Sequence, residues 1–201
     1  MIRDPDLLDA LLDSVSRFVR ERLVPAENEV ADTDRIPPPI VDGMRQLGLF
    51  GLTIPEQYGG LGLTMEEEVR VIVELSQTSP AFRSVIGTTV GIGSQGILID
   101  GTDEQKVSYL PRLASGALVG AIAMTEPGAG SDLQAVKCRA MREGDHYVVN
   151  GQKIWTSRAQ HSDLMLLLAR TTPKDEVKKR TDGLSVFLLD MQAAKAGGLT
   201  I

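Results

Sequence analysis

The stretch ALVGAIAMTEPGAGSD, Ala117 to Asp132, is where the chain changes character. It opens as an apolar run and then turns into a Thr-Glu-Pro corner, a Gly-Ala-Gly bend, a hydroxyl and a carboxylate. Upstream of it apolar residues recur at helical spacing; downstream they fall into short runs of β type. Leu7, Leu8, Leu11, Leu12, Val15, Phe18, Val19 and Leu23 form one stripe behind Asp4 and Pro5, which predicts an amphipathic helix with Asp4 as N-cap and Pro5 at its first position. Pro39 to Leu47 reads as a second, short helix stopped by Gly48. Thr64-x-x-Glu67 and Thr102-x-x-Gln105 read as capping boxes that open helices ending near Gln77 and Ala114.

Between those two helices lies AFRSVIGTTVGIGSQGILI, Ala81 to Ile99, with no charge from Ser84 onward. Each glycine weakens a helix by up to about 1 kcal/mol, so the expectation is a helix held by burial, apolar on all sides. Its small residues either let helices pack closely or line a slot for a ligand chain.

After Gly116 the runs LVGAIAMT, KCRAMRE, HYVVN, QKIWTS, DLMLLLAR and GLSVFLLD predict strands, separated by Gly144-Asp145, Asn150-Gly151 and the charged loop TTPKDEVKKRTD. Asn150-Gly151 is the strongest hairpin signal in the chain. The basic charge from Lys174 to Arg180 fits a solvated hairpin tip more simply than a binding patch. The final KAGGLTI reads as the start of a further β run, so the chain is expected to be cut inside its second domain. Helices followed by strands give an α+β fold: a helical domain over 1–117 and an incomplete β-barrel or sandwich over 118–201, with no Rossmann unit.

Composition narrows the chemistry. With 201 residues, 42% hydrophobic and 24% charged, the chain has material for a sizeable core. A net charge of -6 and a pI near 5.0 argue against nucleic acid as partner, so any anionic ligand must be met locally. No apolar run reaches the roughly 18 residues of a membrane span and the start lacks signal character, which predicts a cytoplasmic protein without a membrane partner. One cysteine excludes an internal disulfide, and two histidines give no zinc-like cluster, so no metal is expected. Cys138 alternates with charged neighbours, as an inward-facing strand residue does.

Read from its residues alone, TEPGAGSD is a turn whose backbone N–H groups form a nest for an anion or the polar edge of a heterocycle, with Thr125 and Ser131 as flanking hydroxyls. The plainer alternative is a loop in which Asp132 caps its own backbone. NGQKIWTS, Asn150 to Ser157, sets the only tryptophan beside Thr156 and Ser157. Trp155 either fills a core or covers one face of a flat ring while the hydroxyls meet its edge.

Together AMTEPGAGSDLQA (Ala123 to Ala135) and NGQKIWTS resemble the two flavin-loop motifs of the acyl-CoA dehydrogenase family, at the right separation. GLFGLTIPEQYGGLG (Gly48 to Gly62) and GTDEQKVSYLPRLASG (Gly101 to Gly116) resemble two segments of its helical domain. The resemblance implies FAD as cofactor, dehydrogenation of an acyl-CoA to the trans-2-enoyl-CoA with hydride transfer to flavin N5, and electron-transferring flavoprotein as acceptor. It implies that Met124 and Thr125 meet the flavin edge and that Gly130 and Ser131 follow the ribityl and phosphate side, Ser131 also lying near the CoA phosphates. Trp155 is implied to cover a flavin face, with Thr156 and Ser157 at the ring. The glycine-rich helix borders the acyl chain on this view. The base for the α-proton is implied in a C-terminal helical domain beyond Ile201, Glu126 being structural, so none of the chain's residues is catalytic. A homo-oligomer, tetramer or dimer, is implied for the full-length protein. Acyl-CoA oxidases and flavin monooxygenases share the loops, and a non-catalytic interaction module is the alternative of another class.

Overall fold

In the computed structural model, which describes residues 2–201, the Asp4 carboxylate accepts from the Leu7 N–H at 3.0 Å and opens helix α1 (Pro5–Phe18), as its sequence predicts. Pro25 then has no N–H for the Glu21 carbonyl, and its ring would collide with it. The helix responds by widening into a π turn over Val19–Leu23 and tightening to a 3-10 turn over Val24–Ala26 before α2 (Glu27–Thr33). Helix α3 (Pro38–Gln46) ends at Gly48, whose φ is +70°.

Both capping boxes form, at the starts of α4 (Met65–Leu75) and α7 (Asp103–Ala114). At the first, the Glu67 carboxylate accepts from the Arg3 and Thr64 N–H groups at 2.8 and 2.7 Å and from the Thr64 hydroxyl at 2.9 Å. The Arg3 N–H foremost, then that of Thr64, holds the Glu67 carboxyl down at about 2 against an ordinary 4.5.

The glycine-rich segment runs as α5 (Pro80–Thr88), a π turn (Thr89–Gly93) and α6 (Ser94–Asp100). Residues Val85 to Val90 are all buried, but Ile92 and Ile99 are exposed, which corrects the expectation of a helix apolar and covered on all sides. The extra residue of the π turn rotates the faces that follow it out of phase with those before it. Val15, Leu23, Met44, Phe50, Leu75 and Phe82 share the core of this helical unit, which extends to Val119.

A second compact unit begins at Gly120. Its five-stranded mixed sheet is organised on β4 (Leu164–Arg170), beside which β5 (Leu184–Asp190) runs antiparallel along the whole length. The other edge of β4 carries β1 (Gly120–Ala123), parallel in the register Gly120↔Leu164, and then β2 (Arg139–Glu143), parallel at Arg139↔Arg170. β3 (His146–Asn150) pairs antiparallel with β2. Ala121, Ala123, Met165, Leu167 and Met191 form one buried cluster and Cys138, Ala140 and Ala169 a second, with Phe187 packed against both. The α+β organisation read from the sequence is therefore observed, with the sheet following the helices. Among the described residues no helix is long and apolar enough to cross a membrane.

Three local expectations are corrected. The hairpin turn is Gly144-Asp145, between the pair Glu143↔His146, with φ +66° at Gly144; Asn150 is still paired with Arg139, and Asn150-Gly151 is no turn. The reason lies in packing: a Cβ on Gly151 would stand 2.6 Å from the Cα of Cys138, so the missing side chain serves a close crossing of two chain segments. Gln152 to Ser157 form no strand, because Trp155 and Arg158 adopt left-handed φ values of 57° and 60° that end extended geometry. The chain end is not β either: the Asp190 carboxylate caps a short helix, α8 (Met191–Ala196), accepting from the Ala193 N–H at 2.9 Å, and Leu199 folds back so that its N–H donates to the Ala194 carbonyl.

Two outcomes follow from these assignments. Gly151→Ala should cost about 2 kcal/mol through overpacking, against about 1 kcal/mol for Gly144→Ala, where only the left-handed φ is at stake; urea denaturation followed by circular dichroism gives the order. Glu67 is an acid with a depressed folded value, so its contribution is present above 4.5 and is lost as pH falls from 4.5 towards 2. The difference in melting temperature between the native chain and Glu67→Gln should accordingly shrink across that window.

Candidate functional site

β1 delivers the chain at Ala123 into Met124, Thr125 and Glu126, and here the two motifs meet. The Ile154 N–H donates to the Thr125 carbonyl at 2.9 Å, and the Lys153 ammonium donates to the Met124 carbonyl and to the Glu126 carboxylate, each at 2.9 Å. Glu126 also closes its own turn, its N–H donating to the Ala129 carbonyl at 3.0 Å and its carbonyl accepting from the Ala129 N–H at 3.1 Å. Its carboxylate, 6% exposed, accepts in addition from the N–H groups of Lys137 and Cys138 at 2.7 and 2.9 Å. Burial, the largest single influence, pushes the Glu126 carboxyl up; the two N–H donors and Lys153 together outweigh it, and the net direction is down. Glu126 is thus ionised and fully engaged, with no capacity to take a proton from a substrate.

Around this buried node the groups left over are of a different kind. The hydroxyls of Thr125, Ser131, Thr156 and Ser157 and the N–H groups of Gly130, Ser131, Thr156 and Ser157 have no hydrogen-bond partner among the described residues. No atom lies within 4 Å of where a Cβ would stand on Gly128 or Gly130, so the backbone there is open to approach. Trp155 is 87% exposed in a left-handed conformation, which excludes the core-filling alternative and is a strain that persists only where the surroundings impose it. Met124, Thr125, Trp155, Thr156 and Ser157 are brought together through the Thr125–Ile154 and Met124–Lys153 bonds. Gly130 and Ser131 lie at the far end of the turn and share no hydrogen bond with the Trp155 segment. Asp132 does not cap its own backbone, since its side chain pairs with Arg180.

Three residues of this region escaped the sequence reading. Lys153 carries a signal that was legible, a lone cation inside a motif otherwise made of apolar and hydroxyl residues. Arg158 follows Ser157 in a left-handed conformation; its Nε is buried without a partner among the described residues, and burial alone lowers its affinity for its proton. Arg180 is far away in sequence and only the fold brings it to Asp132. Cys138 is buried beside the node and burial pushes its thiol up, as befits a packed residue.

In the helical unit, a groove of about 450 Å³ lies between the start of α4 and the π turn, lined by Leu63, Glu68, Val90, Gly91 and Gln95. The Gln95 amide donates to the Thr53 hydroxyl at 3.1 Å, which donates to the Val90 carbonyl at 3.3 Å. The glycine-rich helix therefore does line a cavity within its own unit.

Residues 6–117 match the model of the acyl-CoA dehydrogenase N-terminal domain and residues 121–201 that of the acyl-CoA dehydrogenase middle domain. The chain belongs to the acyl-CoA dehydrogenase family. It is 41% identical over 186 residues to (2S)-methylsuccinyl-CoA dehydrogenase of Cereibacter sphaeroides, covering 91% of this chain and 33% of that protein. Among solved structures it is similar to an acyl-CoA dehydrogenase from Geobacillus kaustophilus, with a TM-score of 0.83 at 31% identity, covering 94% of this chain and 50% of the other. It is also similar to a glutaryl-CoA dehydrogenase of Mycobacterium smegmatis in complex with FADH2, with a TM-score of 0.81 at 28% identity, covering 93% and 46%. The chain thus spans a third to a half of the length of these relatives. Members of the family are flavoprotein oxidoreductases.

The buried node gives a direct test. Glu126→Gln and Lys153→Met each leave one unpaired buried charge and should cost about 3 kcal/mol, while the double variant should cost clearly less than their sum. Urea denaturation followed by circular dichroism gives the three costs.

Proposed function

We propose that the chain is the helical and flavin-contacting part of an FAD-dependent dehydrogenase that converts an acyl-CoA thioester to the trans-2-enoyl-CoA. The observation that carries this reading is the pairing of an exposed, left-handed Trp155 with the unpartnered hydroxyls and N–H groups of two loops fixed to each other at Lys153. Such a surface suits a flat heterocycle with a polar edge: the indole covers a face, and the donors meet the edge. In this assignment Met124 and Thr125 meet the edge of the ring, Thr156 and Ser157 approach it from the other loop, and Gly130 with Ser131 follows the ribityl and phosphate arm. FAD, when bound, supplies the acceptor for the β-hydride at N5.

The chain's own contribution is positioning and electrostatics. N–H and hydroxyl donors held on a rigid turn stabilise negative charge that develops at the ring edge, without reorganising during the reaction. Ser131 is assigned to the CoA phosphates as well, and the groove beside Val90, Gly91 and Gln95 to the acyl chain. No residue of this chain is assigned as the base for the α-proton; Glu126, the carboxylate nearest at hand, is spent on Lys153, Lys137 and Cys138. In this reading electrons leave to an electron-transferring flavoprotein, and the full-length protein works in the cytoplasm as a homo-oligomer. The fit of Ala123 to Ala135 to the dehydrogenase pattern at every constrained position favours this reading over an oxidase or monooxygenase of the same fold.

FAD binding by the chain tests the assignment. Trp155→Ala should weaken FAD retention roughly tenfold, the scale of one lost stacking contact, and Thr125→Ala should weaken it less; retention unchanged in both would remove these residues from the site. With an acyl-CoA and a dye acceptor the 201-residue chain should turn over at background rate, and measurable turnover would show a base within it.

A further inference from the structure

The helical unit holds a second groove, of about 320 Å³, lined by Met65, Glu68, Val69, Ile72 and Val73 of α4 and by Arg83 of α5. Met65 and Glu68 also line the groove of about 450 Å³ beside Val90, Gly91 and Gln95, so the two meet at the start of α4. The wall of the second groove is apolar and open, with Met65, Val69 and Val73 all exposed. It would extend the first if nothing stood between them. On the α5 side the separation falls between Arg83, which belongs to the second groove, and Val90 and Gly91, which belong to the first. The residue midway, one helical turn from each, is Gly87.

Gly87 is bare for a reason that can be read from its surroundings. A Cβ there would stand 2.5 Å from Nη1 and 3.0 Å from Cζ of Arg83, and the third nearest atom, at 3.5 Å, is Nε of the same side chain. The guanidinium therefore lies flat over the helix at this point, and Gly87, which it covers, is buried. Arg83 is itself exposed, and its guanidinium has no hydrogen bond or ion pair among the described residues. Glu68, on the wall common to both grooves, feels it at a distance: burial pushes the Glu68 carboxyl up, and the Arg83 charge draws it part of the way back. An apolar chain that advances along α4 from the first groove thus meets a charged group before it reaches the second. Pressing a methylene against that group strips water from a charge and gains no apolar partner.

We propose that Arg83, laid over Gly87, closes the acyl groove at this end and sets the longest acyl chain that the site takes. The proposal rests on the reading that assigns the groove beside Val90, Gly91 and Gln95 to the acyl chain. Arg83 selects the length of the substrate and takes no part in the bond changes. Gly87 serves it by leaving room for the guanidinium.

Calorimetric titration of the chain with saturated acyl-CoA esters, from butyryl to hexadecanoyl, tests this. Arg83→Ala removes the barrier, and Gly87→Ala displaces it while keeping its charge; alanine in place of a helical glycine also favours the helix. In the native chain affinity should rise by roughly fourfold for each methylene, the worth of one CH₂ taken out of water, and stop rising at one chain length. In both variants the rise should continue beyond that length for a further total gain of roughly tenfold or more, with butyryl-CoA bound alike by all three. The same stopping length in all three chains, or a rise that never stops in the native one, overturns the proposal and leaves the dehydrogenase reading standing. Affinity independent of length throughout removes the acyl chain from the groove as well. Binding of no ester overturns the dehydrogenase reading.

Discussion

The contact between Lys153 and Glu126 is the constraint on which the β unit's functional surface depends. Two loops 27 residues apart in sequence, each unable to hold a conformation by hydrophobic packing, are locked by one ammonium that bonds a carboxylate and a backbone carbonyl. Burying two charges is costly unless every lone pair and proton finds a partner. Here the carboxylate has two further N–H donors, from Lys137 and Cys138, so the arrangement tolerates little displacement. That intolerance is useful: it transmits the rigidity of β1 and of the Cys138 segment to Thr125 and Trp155, which have few tethers of their own.

The same contact explains a backbone that the sequence did not suggest. QKIWTS has the composition of a strand, and its alternation would have satisfied a sheet edge. Lys153 must instead turn inward to reach Glu126, while Ile154 pairs with Thr125, and the next residue leaves extended geometry at a φ of 57°. Strain at a tryptophan is repaid by the bonds on its N-terminal side. Local propensity lost to a tertiary charge pair, and propensity is the only part of that competition a linear reading weighs.

What was legible follows the same division. Signals confined to one turn of chain survived: Asp4, the Thr64–Glu67 and Thr102–Gln105 boxes and the period of α1 are settled by neighbours three or four residues away, and they appear where the sequence places them. Asn150-Gly151 failed because its glycine answers to Cys138, a partner no local rule contains. The π turn at Val19–Leu23 has a local cause in Pro25, but the one at Thr89–Gly93 has none that the sequence displays. At the site, the hydroxyls and Trp155 were visible as residue types; that Asp132 belongs to Arg180 was not, because 48 residues of chain and three strands separate them.

The division of labour among polar groups follows from these tethers. Carboxylates in the two loops are consumed by structure: Glu126 by three donors, Asp132 by an arginine. Hydroxyls and backbone N–H groups, which are neutral and cheap to leave in water, are the ones left unpaired. A surface with free carboxylates would repel a phosphate-bearing ligand and would compete for protons, whereas neutral donors on a charge-locked frame attract electron-rich edges and stay in one protonation state across the physiological range. The β unit is therefore constructed to hold a ligand in place, and its ionisable groups set geometry while leaving proton transfer to other groups.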